Sequence, residues 1–200
     1  MTDTRGFPEI TPVTAPPELD RFATAVRRLQ DLAASTNPDG AVWTAVTEQI
    51  EDACRALEQY VVPDGQAPAG RAITLPGLGH PLMPPWTITE SNEGGVTMEG
   101  HFTRFHVGGN MAVHGGVIPL FYDWHFGMIV SAAGRPISRT AYLHVDYRAV
   151  TPIDTPLTSR GRIERLDGRK AFITATMTDP DGTVLSEATG LMIKLLPHQP

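Results

Sequence analysis

Gly108-Gly109-Asn110-Met111-Ala112-Val113-His114-Gly115-Gly116-Val117-Ile118-Pro119-Leu120-Phe121-Tyr122-Asp123 is the stretch that decides how this 200-residue chain reads. Gly115 and Gly116 lead into an apolar run that predicts a helix from about Gly115 to Val130. Backbone N–H groups at a helix start lack intrahelical partners and sit at the positive end of the macrodipole, and glycine has no side chain to shield them. Such a start suits a carbonyl oxygen that becomes an oxyanion. Pro119 is compatible with a helix only in its first turn, which fixes the start near Gly115 or Gly116. Asp123 then stands out, because its helical neighbours are Pro119, Leu120, Phe126 and Gly127. A carboxylate on so apolar a helix is either a solvated rim residue or a functional group in a partly dry site. Gly127, one turn on, leaves room for a ligand.

Spacing adds a constraint. Eight residues separate Gly115 from Asp123, roughly 12 Å at 1.5 Å per residue. A base and an oxyanion donor must lie within a few ångströms of one substrate atom. The two cooperate only if two such helices run antiparallel across a two-fold axis, so chemistry here implies a dimer with shared sites.

On either side the pattern changes. Downstream, Thr140–Tyr147, Leu157–Arg165, Ala171–Thr178 and Thr183–Leu195 alternate as strands, with hairpin signals at Leu166-Asp167-Gly168-Arg169 and Asp179-Pro180-Asp181-Gly182. Upstream, Val96–Phe105 alternates, while 61–85 is rich in Pro and Gly and reads as loop. Residues 1–17 read as a mobile leader. Over 18–62 two helices are expected, the first carrying Leu19, Phe22, Val26, Leu29 and Ala33 on one face. The second carries Val42, Val46, Ile50, Cys54 or Ala53, and Leu57 and is introduced by Asn37-Pro38 as a cap. Each needs a partner surface, so the pair reads as a packing or oligomerisation extension. One helix amid antiparallel strands is the α+β class, a sheet wrapped around a central helix.

Composition excludes several functions. The chain is 41% hydrophobic and 19% charged, enough for a real core. A net charge of −6 argues against nucleic acid as a partner. One cysteine, Cys54, rules out an internal disulfide framework and a thiolate zinc cluster, and points to a reducing, cytoplasmic setting. No apolar run approaches the roughly 20 residues of a membrane span, and the first 20 residues carry no secretory signal. Nucleotide-binding and nucleophile-elbow fingerprints are missing. His101, His106 and His114 have no acidic residue at a familiar ligand spacing, so no metal is expected. Trp43, Trp86, Trp124 and Cys54 read as packing residues.

Asn110, His114-Gly115-Gly116 and Asp123 nine residues after the histidine together resemble the signature of hotdog-fold acyl-CoA thioesterases of the phenylacetate-pathway type. The resemblance covers about 95–196, within a hotdog domain taken as 63–200, and implies hydrolysis of an acyl-CoA to free acid and CoA. On it, Asp123 is the base that activates water, or the nucleophile, and the Gly115 N–H polarises the thioester carbonyl. Gly116 completes the helix start against substrate, Asn110 orients the water or thioester, and Thr140 hydrogen-bonds the water or the carboxylate. His114 fixes the loop through its ring or takes a direct part. No cofactor is implied, since CoA belongs to the substrate; a homodimer is, possibly a dimer of dimers. Residues 135–170 hold eight basic against four acidic side chains, and Arg148 and Arg160 are the best candidates there for CoA phosphates. Two alternatives share the scaffold: an enoyl-thioester hydratase, and a non-catalytic acyl-CoA binding or sensor protein.

Overall fold

The computed structural model describes residues 12–196. The part of the expected leader up to residue 11 lies outside them. Residues 12–16 have no regular secondary structure, and the Val13 N–H donates to the Arg71 carbonyl at 3.0 Å. Two helices follow, α1 (Pro17–Ser35) and α2 (Gly40–Glu58). The cap of α2 is Asp39, whose carboxylate accepts from the Val42 N–H at 3.0 Å, not Asn37 as expected. Asp39 offers an acceptor of the right length one residue before Gly40, which leaves Pro38 outside the helix.

Next come β1 (Thr87–Asn92), β2 (Gly95–Gly100), the short β3 (Val107–Gly109) and β4 (Ala112–Val113), then α3 (Val117–Ala132). β5 (Ser138–Tyr147), β6 (Leu157–Asp167), β7 (Lys170–Thr178) and β8 (Val184–Lys194) close the chain. One six-stranded sheet runs β1-β2-β6-β7-β8-β5, every neighbour antiparallel. It is the α+β architecture expected, a sheet curled around one helix. Tight turns do the joining. β6 and β7 meet through Gly168-Arg169, with Gly168 at φ 54°, and the Asp179 carboxylate holds the β7–β8 turn through the Asp181 and Thr183 N–H groups.

β1 falls just past the stretch read as loop, 61–85, in residues whose pattern marks no element: TITESN is a polar edge strand without clear alternation. One expectation upstream needs correction. The strand expected over Val96–Phe105 stops at Gly100. There a Cβ would stand 2.6 Å from Trp86, and the chain turns through a 3₁₀ segment, Arg104–His106, capped reciprocally by Thr103 and His106. His101 and His106 therefore do not alternate on a strand.

α3 is buried along Ile118, Phe121, Tyr122, Trp124, His125, Phe126, Ile129 and Val130. It reaches the sheet at two glycines. A Cβ on Gly161 would be 2.6 Å from Ile129 Cδ1, and one on Gly190 would be 2.6 Å from Phe126 Cε2. The core continues through Trp86, Met98, Phe102, Ile173 and Met177, and each such buried side chain contributes about 2 kcal/mol. Trp86 and Trp124 pack as expected. Trp43 and Cys54 do not: both are exposed, because α2 has no buried residue at all.

Candidate active site

His114-Gly115-Gly116 joins the β3–β4 hairpin to α3. Asn110 and Met111 form its two-residue turn, with φ 49° and 59°, the geometry a type I′ turn requires and asparagine tolerates. The hairpin is pinned by His114 N–H to the His106 carbonyl at 2.8 Å and Val113 N–H to the Thr151 carbonyl at 2.9 Å. Asn110 is exposed, and its side chain makes no hydrogen bond among the described residues.

The helix start is organised around one histidine. His114 Nδ1 accepts from the Gly116 N–H at 3.0 Å, and its carbonyl accepts from the Val117 N–H at 2.9 Å. The accepting Nδ1 makes the ring the neutral Nε2–H tautomer. The Gly115 N–H has no partner among the described residues, so of these three amides it is the one left to meet a ligand. The Gly115 carbonyl in turn accepts from the Tyr147 hydroxyl at 2.6 Å. Sequence reasoning did not single out Tyr147; an exposed aromatic at a strand end carries no signal of such a contact.

Asp123 lies two turns along α3 and is exposed in the single chain. Thr140 Oγ1 donates to its Oδ1 at 2.5 Å and lies 3.0 Å from Met192 Sδ. Gly127 has open space where a Cβ would stand. Thr140 and Tyr147 both belong to β5, an edge strand, and an odd separation of seven would put them on opposite faces. A bulge between Thr140 and Tyr142 inserts one residue and turns both toward α3.

The basic candidates are elsewhere. Arg148 donates to Glu187 at 2.7 Å and pairs with Asp146 at 3.3 Å, and the Glu187 hydrogen bond raises its pKa. Arg160 stands in register with Thr176 and, through it, with Glu187 and Asp146. Its neighbours Ser159 and Gly161 face α3, so its side chain points away from the helix that carries Asp123. Among the described residues no three His, Cys, Asp or Glu side chains gather as metal ligands would, and no helix is long and apolar enough to cross a membrane.

His125 and Ser159 form a second polar pair, both fully buried. The ring contacts the Val96 carbonyl and Ser159 Oγ, each at 3.1 Å, and burial pushes its pKa down to about 4. It is a neutral core histidine with no path to solvent.

A six-stranded antiparallel sheet around a helix, with a carboxylate and a glycine-led helix start on that helix, defines the hotdog class. The sequence profile of the Thioesterase superfamily matches residues 110–186. Acyl-coenzyme A thioesterase THEM4 of Rattus norvegicus is 35% identical over 89 residues, which is 44% of this chain and 38% of that protein. The chain thus spans well under half the length of the curated relatives it matches. A crystal structure of a thioesterase superfamily protein superposes with TM-score 0.77 and 27% identity, over 92% of this chain and all of the other. A Streptococcus pneumoniae hypothetical thioesterase solved with coenzyme A shares the fold, with TM-score 0.53 and 18% identity over 57% of this chain and 91% of its own. The fold is thus that of thioesterase-superfamily structures, and residues 110–186 are similar in sequence to that superfamily.

Proposed function

We propose that this chain hydrolyses acyl-CoA thioesters, with Asp123 as general base. The observation that carries the reading is the Thr140–Asp123 hydrogen bond at 2.5 Å on an otherwise apolar helix. Asp123 takes a proton from water as the oxygen attacks the thioester carbonyl. The tetrahedral oxyanion is met by a Gly115 N–H; the C–S bond then breaks, and the proton passes to the departing CoA thiolate. Thr140 holds the carboxylate oriented, His114 holds the turn through the Gly116 N–H, and Gly116 lines the substrate. Asn110 shapes the turn beneath. Arg148, held by Glu187 and Asp146, and Arg160, turned away from Asp123, lie apart from this chemistry and have no part in the step.

The helix separation requires the Gly115 N–H to come from a second copy, so the active unit is a homodimer with two shared sites. Exposure of Asp123, Gly115 and the β5 edge in one chain supports this. The single cysteine supports a reducing, cytoplasmic setting. A hydratase would need a second proton-transfer group beside Asp123, and the histidine on this helix, His125, is sealed in the core.

A panel of acyl-CoAs from acetyl to palmitoyl plus aromatic ones, read by release of free thiol, tests the reaction. Asp123→Asn should lower kcat about 100-fold or more while leaving fold and dimer intact. Co-expressed Asp123→Asn and Gly115→Pro chains should recover turnover that neither has alone, because one mixed site is whole. Hydrolysis undiminished in Asp123→Asn overturns the assignment, and failure of the mixture overturns the shared site.

A further inference from the structure

The helical extension meets its own domain through its polar side. Arg27 of α1 donates to the carbonyls of Met83, Pro76 and His80, Gln30 donates to the Pro81 carbonyl, and Asp31 accepts from the Phe105 N–H. The apolar stripe of α1 looks the other way, with Phe22, Leu29 and Leu32 at 48%, 38% and 45% exposure. α2 repeats the situation. Trp43, Ile50 and Leu57 recur every seventh residue at 41%, 39% and 51%, and nothing in α2 is buried. A four-residue connection joins the helices, yet they do not pack against each other. Apolar stripes of this length on adjacent helices are interaction surfaces.

We propose that α2 of one copy lies along α1 of a second copy, and reciprocally, as a swapped pair that covers both stripes. Charge selects this occupant. Arg21 and Arg28 immediately precede Phe22 and Leu29, while Glu51 and Glu58 immediately follow Ile50 and Leu57. In two helices packed face to face and running the same way, the residue before one stripe lies beside the residue after the other. The parallel arrangement therefore sets two arginines against two glutamates. Helices joined by four residues must pack antiparallel, which would place Arg21 and Arg28 against Val42 and Gln49 instead. α2 against a second α2 would oppose Glu48, Glu51, Asp52 and Glu58 with only Arg55 to offset them. Arg21, Arg28 and Glu58 have no ion pair among the described residues; Glu51 lies 3.9 Å from Arg55.

The inference is independent of hydrolysis, and its test reads association. Two full-length variants are made, Arg21→Glu/Arg28→Glu and Glu51→Arg/Glu58→Arg, alone and co-expressed. Hydrogen exchange over 40–58 and sedimentation are measured for each. In the wild type α2 amides are protected. Each reversal alone lowers that protection about tenfold or more and weakens association, and the co-expressed pair restores both, because every interchain contact is again of opposite sign. Three results overturn the proposal: α2 unprotected in the wild type; protection indifferent to either reversal, as for another partner; or loss not restored by co-expression, as for pairing within one chain.

Discussion

Tyr147 places its hydroxyl 2.6 Å from the Gly115 carbonyl, so one hydrogen bond from β5 fixes the peptide that follows the open N–H. The hydroxyl touches no reacting atom; it is a positioning group. An oxyanion donor is effective only while its direction is held, and a donor removed outright costs about 10²–10³ in kcat. Tyr147→Phe should therefore lower kcat about tenfold with KM nearly unchanged, because the ring stays and only the tether goes. A KM effect without a kcat effect would assign Tyr147 to substrate contact instead. Asn110 illustrates the opposite case. Its φ of 49° in a two-residue turn accounts for an asparagine there on conformational grounds alone.

At the scale of the element, β5 ties both parts of the site to one strand: Thr140 to the carboxylate, Tyr147 to the glycine turn. That depends on the extra residue, Ala141, since the side-chain period of a strand is two. Deleting Ala141 would restore a plain ladder and turn either Thr140 or Tyr147 to the opposite face. Turnover should fall about 100-fold while the far-ultraviolet circular dichroism stays that of the wild type, the sheet being otherwise paired. Normal turnover in the deletion would show that the two contacts need not share a face.

Across the whole molecule, stability rests on a core in which His125 is the most deeply buried histidine among the described residues. His125 is held neutral in the fold, at about 4, against about 6.5 in an unfolded chain. Its folded value is depressed, so the unfolded state binds the proton first. The contribution is complete above about pH 6.5, is lost progressively as pH falls from there to about 4, and then levels off after roughly 3 kcal/mol. Denaturant midpoints at pH 7.5, 5.5 and 4.5 should fall steeply for the wild type and less steeply for His125→Gln, which keeps a donor for the Val96 carbonyl but does not titrate. Parallel slopes would remove His125 from the acid response.

Much of this was legible beforehand, for identifiable reasons. Glycines before an apolar run, a proline confined to the first turn and a carboxylate on a greasy face are local rules, and they placed α3 within two residues of its observed start. Period-two alternation and Asp-Gly turns likewise located β5 to β8. β1 was not legible, because Ile88 is the one apolar residue in Thr87–Asn92 and the last four residues are exposed, which leaves no alternation to read. The same holds for Trp43 and Cys54: periodicity reports that a helix face is apolar and is silent on what covers it. By itself the sequence determined the elements and the chemistry available at the start and middle of one helix. Tertiary structure alone decided that a bulge brings Thr140 and Tyr147 to one face, that Arg160 turns away from Asp123, and that α1 docks by its polar side. Each of these depends on which segments distant along the chain become neighbours, a quantity no local pattern encodes.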